Sequence, residues 1–234
     1  MARTPCASIE TQMTRTERIL GWCWLPVYLF LLSFGLNRLF PLLGLPTDAI
    51  SINIAYFAVN LLFVLIVFRR FLLQRFFGKG FWDFLQALIL GAVLHYAGTW
   101  LIQTAVTALH GSFTVINNVQ VEALAQQNRP VMLIVGVILA PLIEETLVRG
   151  IVFGSFYGAS GVLAYLVSGF VFIFMHNWVY FETYSVLEVL LSCLPYIPAC
   201  VALAWVYEKS GSIWCSILLH ALINAVSFGL IPLF

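Results

Sequence analysis

The chain has 234 residues, 62% hydrophobic and only 9% charged, with a formal net charge of +1 and a mean hydropathy of +1.00. Soluble domains average about 45–50% apolar and about 25% charged residues, so the composition excludes an ordinary soluble fold and a disordered segment. With so little net charge it also excludes a partner that must be held through its phosphates: no nucleic acid is expected, and the partner is the lipid bilayer.

The predicted fold class is an all-α, polytopic transmembrane helical bundle. A spanning helix needs about 20 apolar residues, and seven apolar blocks are present, roughly 20–40, 50–68, 82–109, 131–157, 161–181, 185–207 and 212–232, so about seven spans (six to eight) are expected. Arg3, Arg15 and Arg18 precede the first block, but no small-residue cleavage site follows it, so it reads as a retained span rather than a signal peptide. Arg69, Arg70, Arg75 and Lys79 separate the second and third blocks. Lys and Arg are retained on the cytoplasmic side, which predicts an integral protein of the cell membrane with its N-terminus in the cytoplasm. Residues 110–129 form the one sizeable polar loop, and Pro130 at its end suits the first turn of the fourth span. This divides the chain into an N-terminal membrane region, 1–129, and a core of four spans, 130–234. Trp22, Trp24, Trp82, Trp178 and Trp214 fall near span ends and suit an interfacial belt. Cys6, Cys23, Cys193, Cys200 and Cys215 have no paired spacing, so no disulfide framework is expected.

Ionisable groups inside a span are expensive and mark function by default. The fourth block, APLIEETLVRG, holds Glu144, Glu145 and Arg149; the fifth, FIFMHNW, holds His176; the last, SILLHALINAV, holds His220 and Asn224. His95 in the third block reads as an interhelical hydrogen-bonding residue, and Glu188 in the sixth as interfacial. Glu145 and Arg149 are one helical turn apart and can pair, as His220 and Asn224 can share one face. Counting from the turns at 158–161 and 208–211 with ~1.5 Å rise per residue, Glu144 and His176 stand roughly 22–25 Å deep and His220 and Asn224 roughly 15–21 Å. The four groups therefore fall in one layer. A carboxylate, two imidazoles and a carboxamide in a dry pocket supply a general base and oxyanion donors for amide hydrolysis. Arg149 keeps Glu145 ionised, which leaves Glu144 as the candidate base.

These residues carry a resemblance to a known family. Glu144-Glu145-Thr-Leu-Val-Arg149, Phe172-Ile-Phe-Met-His176 and His220-Ala-Leu-Ile-Asn224 reproduce, in order and on separate spans, the signatures EExxxR, FxxxH and HxxxN. The chain thus resembles the CPBP intramembrane proteases, the group of type II CAAX prenyl endopeptidases and bacteriocin-processing or self-immunity proteins. The resemblance covers about residues 130–228 and departs at Val148, where the family commonly has Phe. It implies an intramembrane endopeptidase acting on a membrane-associated, prenylated or leader-type peptide. Glu144 and His176 would activate water, and His220 and Asn224 would hold the oxyanion. A divalent metal such as zinc on Glu144, His176 and His220 stays open beside the metal-free route, although no HExxH is present.

Other readings compete. Gly158-Ala159-Ser160-Gly161 is similar to a rhomboid serine motif, but Ser160 sits in a turn far from both histidines and in the wrong order. Site-2 proteases need HExxH, and presenilin-type enzymes need paired intramembrane Asp, whereas Asp48 and Asp83 lie near span ends. A proton-coupled transporter lacks its inverted repeat. A non-catalytic immunity or scaffold protein of the same fold is the alternative from another class.

Overall fold

A computed structural model describes residues 9, 12–74 and 76–231. Arg3, Cys6 and Arg75 lie outside them. The described residues form eight principal helices and no strand: α1 (Arg15–Leu42), α2 (Ala49–Val67), α3 (Phe81–His110), α4 (Ile116–Gln127), α5 (Arg129–Tyr157), α6 (Gly161–Glu182), α7 (Val186–Ser210) and α8 (Ile213–Ser227). All but α4 and α8 are long and apolar enough to cross a membrane, which gives six candidate spans. The seventh apolar block is the shorter α8, whose 15 residues reach only ~22 Å at ~1.5 Å per residue.

The helix starts follow local chemistry. Thr14 and Glu17 close a capping box on α1, and Asn128 caps α5 by accepting from Val131 N–H at 3.3 Å, with a proline in its first turn. Ser160 caps α6, and Ser185 and Glu188 form a capping box on α7. The expected polar loop 110–129 is largely the helix α4. Its amide-rich sequence still forms helix because α4 is tied to its neighbours: Ile116 N–H donates to Ser192 Oγ at 3.0 Å and Tyr180 Oη to Asn117 Oδ1 at 3.1 Å.

Helices α1, α5 and α7 are irregular along their length, and α6 ends in a 3-10 stretch, Trp178–Glu182. In α1, Pro26 is followed by a π-helical stretch, Val27–Leu31. In α5, π-helical Val135–Leu139 and Thr146–Phe153 flank a short α-helical piece that holds Glu144 and Glu145. Proline cannot donate to the carbonyl four residues back, so Pro26 and Pro141 each free a backbone acceptor and widen the turn before or after them. Helix α7 breaks at Leu194 and Pro195.

At one end of the bundle the N-terminal segment, the α2–α3 connection and the α7–α8 turn meet. Gln12 Nε2 donates to Gly211 O at 3.2 Å, Gln74 Nε2 to Gln12 O at 2.5 Å and Lys79 N to Ser210 O at 2.9 Å. The basic clusters thus share an end with the turn at 208–211, as the hairpin reading requires. Packing crosses the 129/130 boundary freely. Val206 and Pro198 of α7 fill the space beside Gly91 and Gly98 of α3, where an added Cβ would stand 2.1 Å from Val206 Cγ1 and 3.0 Å from Pro198 Cβ. Two of the expected belt tryptophans turn inward: Trp24 stacks on Phe63 and donates to Asn60, and Trp214 donates to Leu72 O. Cys23, Cys193, Cys200 and Cys215 are free thiols.

Candidate active site

The site is built around α5. Glu145 and Arg149 are fully buried, and Glu144 and His220 are only 6% and 4% exposed. Glu145 Oε1 accepts from Arg149 Nη1 at 3.0 Å, the expected pair one turn apart. The same oxygen accepts from His220 Nδ1 at 2.9 Å, and Oε2 accepts from Ser216 Oγ at 2.5 Å. Three donors offset the burial of this carboxylate.

Glu144 is placed differently. Among the described residues its only close donor is Tyr28 Oη, at 3.3 Å from Oε1, and Tyr28 is fixed in turn by Tyr56 Oη, which donates to its carbonyl at 2.7 Å. The other oxygen, Oε2, faces two imidazoles, with His176 Nε2 at 3.7 Å and His220 Nε2 at 3.9 Å. His176 Nδ1 lies 2.8 Å from the carbonyl of Phe172. A carbonyl only accepts, so Nδ1 carries a proton and Nε2 is the nitrogen free to act toward Glu144. The carboxylate of Glu145 orients His220 in the same sense.

Phe172 does more than sit one turn from His176. Its ring lies 4.4 Å under the Arg149 guanidinium and meets the rings of His176 and His220 at 4.7 and 5.6 Å. It therefore locks all three signatures together through one aromatic face, a cation–π contact worth about 2 kcal/mol where desolvated. Val148, the departure from the family pattern, is fully buried in the cluster with Phe84, Phe172 and Leu203.

Asn224 lines the same cavity as Glu144 but one turn beyond His220, and its Nδ2 donates to Gly136 O at 2.7 Å. That carbonyl belongs to the first widened turn of α5. One amide hydrogen is thus committed to the backbone and one remains.

These groups open onto a cavity of about 550 Å³. The last four spans do not enclose it alone: Tyr28 of α1, Tyr56 of α2, His95 of α3 and Asn117 of α4 also line it. His95 is not the expected interhelical hydrogen-bonding residue, since it faces this cavity and its buried Nδ1 has no partner among the described residues. Glu188 is exposed and occupied in its capping box, and Ser160 caps α6 at the end opposite His176. Sequence reasoning missed Tyr28 and Ser216. Only Ser216 left a signal, since Ser216, His220 and Asn224 repeat every four residues on one face of α8.

Residues 126–226 match the sequence model of the family described as type II CAAX prenyl endopeptidase Rce1-like. That segment, 126–226, is similar to the Rce1-like family. Neither the curated proteins nor the solved structures contain a match. The matched segment spans all three signatures, from α5 to α8, and supports a CAAX protease-like enzyme. The divalent-ion set considered for Glu144, His176 and His220 fits poorly: among the described residues no three or more His, Cys, Asp or Glu are arranged to share one ion, and the Asn224 amide is turned to Gly136. The steps derived below run through side chains alone.

Proposed function

We propose that the protein is an integral endopeptidase of the cell membrane that hydrolyses a peptide bond of a membrane-associated, prenylated or leader-type peptide, with its basic end in the cytoplasm. The observation that carries this is Glu144 Oε2, placed between two imidazole Nε2 atoms at 3.7 and 3.9 Å at the inner end of the cavity. Every other carboxylate oxygen of the pair is engaged by a donor.

Glu144, steadied by Tyr28, takes a proton from a water held against His176 Nε2. The resulting hydroxide adds to the scissile carbonyl carbon, and the carbonyl oxygen becomes an oxyanion. The free N–H of Asn224 and the Nε2–H of His220, with its ring in the cationic form, accept that charge. When the intermediate collapses the C–N bond breaks, the nitrogen takes the proton held by Glu144, and a carboxylic acid and an amine leave. Glu145 and Arg149 do not touch the substrate in this scheme. They hold His220 and, through Phe172, His176.

The test uses purified protein in detergent and a fluorescence-quenched peptide with a farnesylated cysteine four residues from its C-terminus. Glu144→Gln lowers kcat/KM by ~10²–10⁴-fold with an unchanged melting temperature; equal rates overturn the assignment. Loss of cleavage on chelation, with recovery on adding zinc, would instead assign Glu144, His176 and His220 to an ion. If Glu144→Gln and His220→Ala both keep the cellular phenotype, the scaffold alternative holds.

A further inference from the structure

The α3 side of the cavity carries polar groups that the hydrolytic scheme does not use. His95 is only 7% exposed, and its Nδ1 has no hydrogen-bond partner among the described residues. Thr99 Oγ1, one turn further along α3, is also buried without a partner, as is Asn53 Oδ1 on α2. Gln103 follows one turn beyond Thr99, and all four residues line the same cavity as Glu144. Helix α3, which packs on α7 at Gly91 and Gly98, thus also turns one polar stripe, at positions i, i+4 and i+8, toward the reacting groups. Unpartnered buried polar atoms are costly and mark a place where a partner binds.

The depth and the spacing both point to one kind of partner. Helix α3 ends at His110 and α5 begins at Arg129, the two joined by α4 at one end of the bundle. His95 lies 15 residues before the first of these and Glu144 15 residues after the second, so both stand ~22 Å from that end at ~1.5 Å per residue. Thr99 and Gln103 then step from the reacting level toward α4. Each step of four residues is ~6 Å along a helix. In an extended peptide, groups that point the same way recur every two residues, ~6.6–6.8 Å apart. A helical i, i+4, i+8 stripe is therefore nearly in register with the main chain of an extended strand laid beside it, with one side-chain contact to every second peptide group.

Resting on the endopeptidase reading, we propose that the α3 stripe His95, Thr99 and Gln103, with Asn53 beside it, binds the main chain of an extended substrate peptide and sets the scissile bond against Glu144. The partner is the peptide backbone, so the stripe aligns substrates of different sequence. His95 and Thr99 lie outside the segment that carries the family signatures. They are positioning residues in this scheme, distinct from the groups that move protons.

The test couples single amides of the substrate to single residues of the stripe. The same farnesylated quenched peptide is made in a series in which one backbone amide at a time is replaced by an ester, which deletes an N–H and weakens a carbonyl acceptor. Thr99→Val and Gln103→Leu each raise KM about ten-fold with kcat little altered. One ester position raises KM about ten-fold for the unaltered protein and has no added effect in Thr99→Val, and a second position, two residues away, shows the same pairing with Gln103→Leu. Additive effects at every ester position, or unchanged KM in both variants, overturn the stripe. Binding of the peptide series to Glu144→Gln, read by fluorescence anisotropy, separates this from the hydrolytic reading. Paired losses in binding with no cleavage by the unaltered protein sustain the stripe and refute the hydrolysis. Cleavage without pairing does the reverse, and a peptide series that is neither bound nor cleaved overturns both.

Discussion

Helices α5 and α3 are both about 30 residues long and both apolar, yet 56% of the most apolar stretch of α5 is buried against 17% of that of α3. The difference lies in what surrounds each. Helix α5 is buried at every residue from Ile143 to Gly154, so the whole circumference of that stretch is packed against protein, and its few charges must find partners inside. Glu145 does so with Arg149, His220 and Ser216. Helix α3 faces lipid over most of its surface, with Trp100 and Leu101 outward, and spends its polarity on one narrow stripe. Two helices of nearly equal length thus play two roles: a central one that holds charge, and an outer one that closes a wall.

That contrast is open to direct attack, and the largest effect is expected at the centre. Arg149→Met leaves Glu145 buried without its ionic partner and should cost about 3–5 kcal/mol, seen as loss of the folded fraction in a detergent melt. Adding Glu145→Gln should restore part of it, whereas full stability of the single variant would refute the burial of the pair. Gly91→Val tests where the outer helix touches the core. Overpacking against Val206 should cost about 1–3 kcal/mol, and the companion change Val206→Ala should recover most of it. Phe172→Leu removes the ring under Arg149 and should cost about 2 kcal/mol together with a several-fold loss of cleavage. Phe170→Leu, on the exposed face of the same helix, should stay within about 0.5 kcal/mol. Similar melts for the two would erase the distinction between centre and periphery. The smallest effect lies outside the spans. Asp48 caps α2, and the hydroxyl and N–H of Ser51 hold its carboxyl below the usual carboxylate range. Its contribution is complete above the ordinary Asp range and is lost as pH falls through the lowered value. The melting temperatures of the unaltered protein and Asp48→Asn should therefore converge as the pH falls through that lowered value.

Much of the arrangement was legible before any coordinates. The meeting of Glu144, His176 and His220 followed from counting residues out from two turns, because helical rise is nearly constant and the turns share one end of the bundle. The Glu145–Arg149 pair followed from spacing. Less legible were the features that depend on rotation rather than depth. Straight-helix counting places Asn224 beside His220, but the widened turns of α5 bring the Gly136 carbonyl to its amide. Tyr28 reaches Glu144 from a π-helical stretch after Pro26, and no spacing rule joins residues 116 positions apart. His95 looked like an ordinary interhelical contact because a sequence does not say which face of a lipid-facing helix borders a cavity.

By itself the sequence determined that the chain lives in a bilayer, that it is helical throughout, and that its few intramembrane charges gather at one depth. Those properties rest on composition and on one-dimensional periodicity, which survive without knowledge of neighbours. Only the tertiary structure decided which carboxylate is engaged and which is exposed to the cavity, that the first three helices complete the wall, and that one phenylalanine ring joins the three signatures. Those depend on how helices rotate about their own axes and pack against one another, and that rotation is set by contacts between residues far apart in the chain.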